Sequence, residues 1–193
     1  MDKPVIFFGT GGHAKVVLDL LKLINIKIIG VVDPNKIYGE KWLGIDVLGD
    51  DNAVLKYDKD KIFLVNGIGY MPKSNLRHTL DTNFIKHGYR FLSITHPTSI
   101  VSKDVTLGDG VQIMAGSIIQ TGVTLGKSAI INTGSIIDHD CMIEDNVHIS
   151  PGTTICGDVD IGKNTFVGAN SVVVQNIKIG KNCIISAGSV IHK

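Results

Sequence analysis

Residues 123–149, VTLGKS-AIINTG-SIIDHD-CMIEDN-VHI, fall into sixes whose third place is always Leu or Ile. The register extends in both directions without a break: Val101, Leu107, Ile113, Ile119, Leu125, Ile131, Ile137, Ile143, Ile149, Ile155, Ile161, Val167, Val173, Ile179, Ile185 and Ile191. Two places before these lies a second series of small or modest side chains, running from Val105 through Val111, Ser117, Val123, Ala129, Ser135 and Cys141 to Ser189. A helix returns to the same face every 3.6 residues and a strand every two, so neither accounts for a period of six. An internal repeat does.

The repeat predicts a parallel β-helix over residues 96–193. Each hexapeptide supplies one short strand and a turn, and three close a triangular coil. The aliphatic residues stack along its axis while the small ones sit at tight corners. Gly follows the inward residue at Gly108, Gly126, Gly162, Gly168 and Gly180, which suits a turn with little room for a Cβ. No repeat buries its own face, so stability comes from stacked neighbours. The period leaves the hand of the coil open.

Residues 1–95 follow another rule, alternating strand-like and helix-like stretches. PVIFF reads as a buried strand, GTGGH as a loop, AKVVLDLLKLI as a helix and IKIIGVVD as a second strand, together one βαβ unit. IDVLG, KIFLVNGIG and RFLSIT are further strands, with a helix from near Pro72 to about His87 between the last two. His96-Pro97 punctuates the boundary. The expected architecture is a short Rossmann-like α/β domain followed by an all-β coil.

Composition narrows the function classes. Nineteen basic against eighteen acidic residues leave a net charge of +1, giving no field to gather nucleic acid or an anionic membrane. No apolar stretch approaches the roughly 20 residues of a membrane span, and the N-terminal apolar run is broken by glycines, unlike a signal peptide. Cys141, Cys156 and Cys183 have no CxxC spacing, which speaks against a disulfide framework or a structural metal. A cytoplasmic protein without metal is expected.

Two places carry chemistry. Gly9-Thr10-Gly11-Gly12-His13-Ala14 fits G-x-G-x-x-[GA] between a strand and a helix, and Asp33 follows at the end of the next strand. Such a loop offers amides and a helix N-terminus to a pyrophosphate, and the acid can hold a ribose hydroxyl. Alone it suggests NAD, but the domain has about half the strands of a full dinucleotide fold and provides one mononucleotide-sized site. In the coil, His139 lies two places after inward Ile137, on a turn, between Asp138 and Asp140. An imidazole titrates near neutrality, and a carboxylate against it orients the ring and stabilises its charged form. Cys141 and Cys183 occupy the small-residue register, where a thiol acts as a small hydrophobe. Neither has the look of a covalent nucleophile, and Cys156, which follows inward Ile155, is undetermined.

The [LIV]-G-x-x-x-x hexapeptides resemble those of the left-handed β-helix acyltransferases. The GTGGHAK loop, the short α/β domain and the coil segment IIDHDCMIEDNVHISPG together resemble the PglD/NeuD-type sugar acetyltransferases across essentially the whole chain. The resemblance implies a homotrimer that uses acetyl-CoA, lying between adjacent coils, to acetylate an amino sugar linked to UDP, dTDP or GDP. It implies His139 as general base with Asp140 raising its basicity, and contact of His148 with acetyl-CoA. It implies that Gly168, Ala169 and Ala187 line the CoA groove, and that Gly11, Gly12, His13, Asp33 and Gly67 hold the nucleotide. It points to N-acetylation of the 4-amino group of a 4-amino-4,6-dideoxy sugar. O-acetylation of a sialic-acid-like sugar and a non-catalytic, nucleotide-sugar-binding trimeric scaffold are the alternatives. Members usually continue into a short tail where this chain reads Ile191-His192-Lys193 with its repeat still running, leaving an open coil edge.

Overall fold

The computed structural model describes residues 3–70, 72 and 74–192. It comprises two compact units, the first ending at Leu92 and the second beginning at Ser93.

The first unit is built on β1 (Val5–Phe8), every residue of which is buried. It lies between β2 (Ile28–Val32) and β5 (Phe63–Asn66), parallel to both. A strand covered on both faces needs apolar residues throughout, as VIFF supplies. Beyond β2 come β4 (Ile45–Gly49), parallel to it, and the antiparallel edge strand β3 (Lys41–Trp42). The sheet order is therefore β3-β4-β2-β1-β5. Helix α1 (Gly12–Leu23) connects β1 to β2 and turns Ala14, Val17, Leu18, Leu20 and Leu21 inward. Helix α2 (Leu76–Lys86) precedes the close of the unit.

Three features differ from the expectation. Helix α2 starts at Leu76 and not near Pro72; its N-cap, Asn75, makes no side-chain capping hydrogen bond, and the Leu76 amide donates to Ser74 Oγ at 3.4 Å. The edge strand β3 and a 3-10 helix over Asp51–Lys56, opened by the Asn52 amide donating to Asp50 Oδ1, carried no signal in the hydrophobic pattern. RFLSIT divides: Phe91 makes one bridge to Leu64, whereas Ile94–Thr95 pairs with Gln112–Ile113 in the coil. Thr95 stands six places before Val101, so the repeat itself reaches back past His96-Pro97.

The second unit consists of two-residue strands at six-residue intervals, from Ile94–Thr95 to Val190–Ile191. Each pairs in parallel with the strand one coil on, as Ile118 opposite Ile136 and Ile130 opposite His148, and the pairings form three sheets. Inward residues from Ile113 to Val173 are at most 1% exposed. The small-residue series is buried from Val111 to Ser171, and hydroxyls within it are satisfied by the next coil. Ser117, Ser135, Thr153 and Ser171 donate to the carbonyls of Asn132, Ser150, Gly168 and Ser186 at 3.0–3.1 Å. Hydroxyls are thereby tolerated in an apolar core.

Candidate functional site

The α/β unit brings its predicted residues to one edge. Strand β1 has β2 on one side and β5 on the other, so the chain leaves β1 and β5 in diverging directions and opens a crevice at their C-terminal ends. Gly9 and Gly11 follow β1, Asp33 follows β2 and Gly67 follows β5. The Gly67 amide donates to the Phe8 carbonyl at 2.9 Å, drawing the two loops together. Gly67 is buried against the Phe7 ring and the Phe8 carbonyl, both of which an added Cβ would strike. A Cβ built on Gly69 would lie 3.2 Å from the His13 Cβ, a tight contact. Gly11 and Gly12 are exposed at the start of α1, whose N-terminus has no side-chain cap and no acid in its first turn. The positive end of the helix dipole there favours an anion.

Asp33 is 8% exposed. Its Oδ2 accepts the Thr10 hydroxyl at 2.6 Å, and its Oδ1 accepts the Asn35 amide at 2.9 Å. Burial opposes its ionisation, but these hydrogen bonds prevail and hold the carboxyl below its ordinary range. The acid thus ties the glycine loop to the end of β2. A further cluster escaped sequence reasoning. Buried Arg77, on α2, donates Nη1 to the carbonyls of Asn66 at 3.0 Å and Ile68 at 2.7 Å. Asn66 Nδ2 donates to Asp81 Oδ1 at 2.7 Å, and Asn66 Oδ1 accepts the Ile68 amide at 2.9 Å. Burial lowers the Arg77 pKa and Asp81 raises it in part. This polar clasp shapes the loop that carries Gly67. The signal available was an Arg and an Asp four apart on a helix, which ordinarily mark a solvated face.

In the coil, His139 and Asp140 occupy an exposed corner. Asp140 has φ +60°, one of the left-handed corner residues that include Asn146, Asp158 and Asn164. Short polar residues tolerate that conformation. It places Asp140 Oδ2 2.9 Å from His139 Nδ1. Asp138 Oδ1 accepts the His139 amide at 2.8 Å, fixing the start of the turn. The hydrogen bond to Asp140 raises the His139 pKa; slight desolvation opposes it, and the charges of Asp138, Asp140 and Asp158 add to the rise. With Nδ1–H donating to the carboxylate, the neutral ring presents a lone pair at Nε2.

His148 is 6% exposed and its ring lies tilted against that of Phe166, with ring centroids 5.2 Å apart. Gly168 is buried where a Cβ would strike the Ala187 amide and the Ile185 carbonyl, so coil stacking alone demands a glycine there. Ala169 is half-buried and Ala187 exposed. Burial pushes the Cys141 thiol up to about 11, leaving it protonated and a poor nucleophile. Among the described residues no group of three His, Cys, Asp or Glu is placed to hold a metal. Among them, too, no helix is long and apolar enough to cross a membrane.

A short α/β domain followed by a coil of stacked hexapeptides is the architecture of the left-handed β-helix acyltransferases. Residues 104–139 match the hexapeptide repeat of succinyl-transferase, and residues 140–174 and 158–193 match the bacterial transferase hexapeptide. Residues 4–79 match the PglD N-terminal domain. Among solved structures, PerB from Caulobacter crescentus in complex with CoA and GDP-perosamine is 33% identical, covering all of this chain and 90% of that one, with a TM-score of 0.90. A single-histidine variant of the perosamine N-acetyltransferase from that organism, also bound to CoA and GDP-perosamine, is 32% identical over the same extents with a TM-score of 0.91. The acetyltransferase domain of PglB from Neisseria gonorrhoeae is 26% identical, covering 98% of this chain and 91% of that one, with a TM-score of 0.88. No curated protein sequence matches the chain. The chain belongs to the PglD-type hexapeptide acyltransferases.

Proposed function

We propose that this enzyme transfers the acetyl group of acetyl-CoA to the 4-amino group of a nucleotide-linked 4-amino-4,6-dideoxy sugar. The observation that carries the reading is the His139–Asp140 pair at 2.9 Å, on a fold shared end to end with an enzyme whose structure holds CoA and GDP-perosamine. The neutral amine attacks the thioester carbonyl, forming the C–N bond. Its proton passes to His139 Nε2 as the carbon–sulfur bond breaks, and the departing CoA thiolate is protonated in turn. Asp140 holds the ring and stabilises the imidazolium that forms. Two residues act directly on the proton: His139 carries it and Asp140 tunes it.

In this reading the nucleotide binds the α/β unit, with its phosphates on the amides of Gly11, Gly12 and His13 and its remainder against Asp33 and Gly67. His148, Gly168, Ala169 and Ala187 belong to the acetyl-CoA side. The assembly is a cytoplasmic homotrimer. One outward face of the coil supports this assembly: Ile100, Ile118, Ile136, Thr154, Val172 and Val190 stack in register, and Ile100 and Val190 are 65% and 60% exposed. An apolar stripe of that kind, interrupted only by Thr154, is what an interface between copies would use.

The test is thiol release from acetyl-CoA against a panel of UDP-, dTDP- and GDP-linked 4-amino sugars, with 4-hydroxy analogues alongside. Release with amines alone is expected. Release with hydroxyl acceptors alone would replace N- by O-acetylation. Sedimentation should give three chains per particle.

A further inference from the structure

An exposed imidazole on a turn ordinarily exchanges among rotamers. His139 is restrained by Asp140 on one side and, in the next coil, by the absence of a side chain. The residue eighteen places after His139, at the corresponding corner, is Gly157. A Cβ built on it would lie 2.5 Å from both Nε2 and Cε1 of His139 and 3.1 Å from Cδ2. The ring occupies the space that any other residue at position 157 would fill.

Space for this ring, and not backbone conformation, accounts for the glycine. Gly157 lies outside the left-handed φ region, so its main chain accepts any residue. Gly108, Gly126 and Gly162 are glycines because a Cβ would strike the backbone of the following coil. At Gly157 the three nearest atoms all belong to the His139 side chain. The corner column reads Lys103, Thr121, His139, Gly157, Gln175, and long or branched side chains are accepted at every other place except the one following the histidine. Asp140 has a similar seat on Gly122, but Gly122 has φ +75° and its backbone alone requires glycine.

We propose that Gly157 is a positioning residue for the transfer: its bare main chain is the floor that keeps the His139 imidazole on Asp140 with Nε2 turned to the amine. The proposal rests on His139 as the base. A methyl group at 157 displaces a solvent-facing ring and no core residue, so the fold is retained while the His139–Asp140 hydrogen bond is lost.

The experiment is Gly157→Ala in the full-length enzyme, alone and combined with His139→Ala. Gly180→Ala serves as the control, since its Cβ would sit at an ordinary 3.7 Å from Cys183 Sγ. Gly157→Ala should lower kcat about 10- to 100-fold, with KM for acetyl-CoA within about twofold and thermal unfolding matching the control. In the His139→Ala background it should have no further effect. Titration of His139 by NMR, which needs no turnover, should show a lower pKa in Gly157→Ala. Wild-type turnover by Gly157→Ala, or an equal loss in both backgrounds, would overturn the positioning role while leaving His139 as base. Near-normal turnover by His139→Ala would overturn both.

Discussion

The coil and the α/β unit bury apolar surface by opposite means. In the coil, position within the six-residue repeat decides a side chain's environment, and Ile119, Ile137, Ile155 and Val173 are all fully buried in the same way. In the α/β unit, β1 is buried because β2 and β5, distant in the chain, close on either side of it. The coil's core is redundant, which leaves its corners available for chemistry: His139 and Asp140 contribute little to packing. The α/β unit has no such redundancy, and its glycine loops are held by buried polar groups, Asp33 on Thr10 and Arg77 on Asn66 and Ile68. The candidate site lies on the surface of a repetitive scaffold in one case and is woven into a single core in the other.

The contrast makes unequal predictions. The largest effect is at the corner: His139→Ala should cut kcat by about 10²- to 10⁴-fold with unchanged thermal unfolding, read from thiol release and calorimetry. Ile149→Ala, in the middle of the coil, should cost about 2–5 kcal/mol in denaturant unfolding. Ile179→Ala, half-buried nearer the end, should cost about 1–2 kcal/mol, and equal costs would show that position along the coil does not matter. Arg77→Met leaves two carbonyls without their donor and should cost about 1–3 kcal/mol. It should also raise KM for the nucleotide sugar several-fold while sparing that for acetyl-CoA; a change in both would break the separation of duties between the units.

Asp140→Asn should lower kcat about tenfold and move the acid limb of the pH profile. The base works in its neutral form, so activity is lost as pH falls through the His139 pKa, which Asp140 raises. Removing the carboxylate lowers that pKa and shifts the limb to lower pH. The smallest effect belongs to Lys163→Ala. Its ion pair with Asp145, at 3.0 Å, lies between side chains 48% and 35% exposed, so denaturant unfolding should be unchanged within error.

The inward register from Val101 to Ile191 was legible because one period governs it, and His139 was legible because the register places it on a corner beside two acids. The glycine loop and Asp33 were legible as a fingerprint, although the acid's hydrogen bonds to Thr10 and Asn35 were not. Arg77 and Asp81 carried no signal, since charged residues four apart on a helix read as solvent-facing until a sheet is laid against them. Helix α2 was placed a few residues early: it begins at Leu76 behind Asn75, whose side chain makes no capping bond that a sequence signal could have marked.

The coil needed only its own chain to be read: neighbours eighteen residues apart stack directly, so a linear period is already a three-dimensional contact map. The meeting of the Gly9, Asp33 and Gly67 loops, the clasp around Asn66 and the seat of His139 on Gly157 came from strand order and from atoms packed at particular distances. Burial of a polar group, and the room beside an imidazole, depend on what the rest of the chain brings to that point in space.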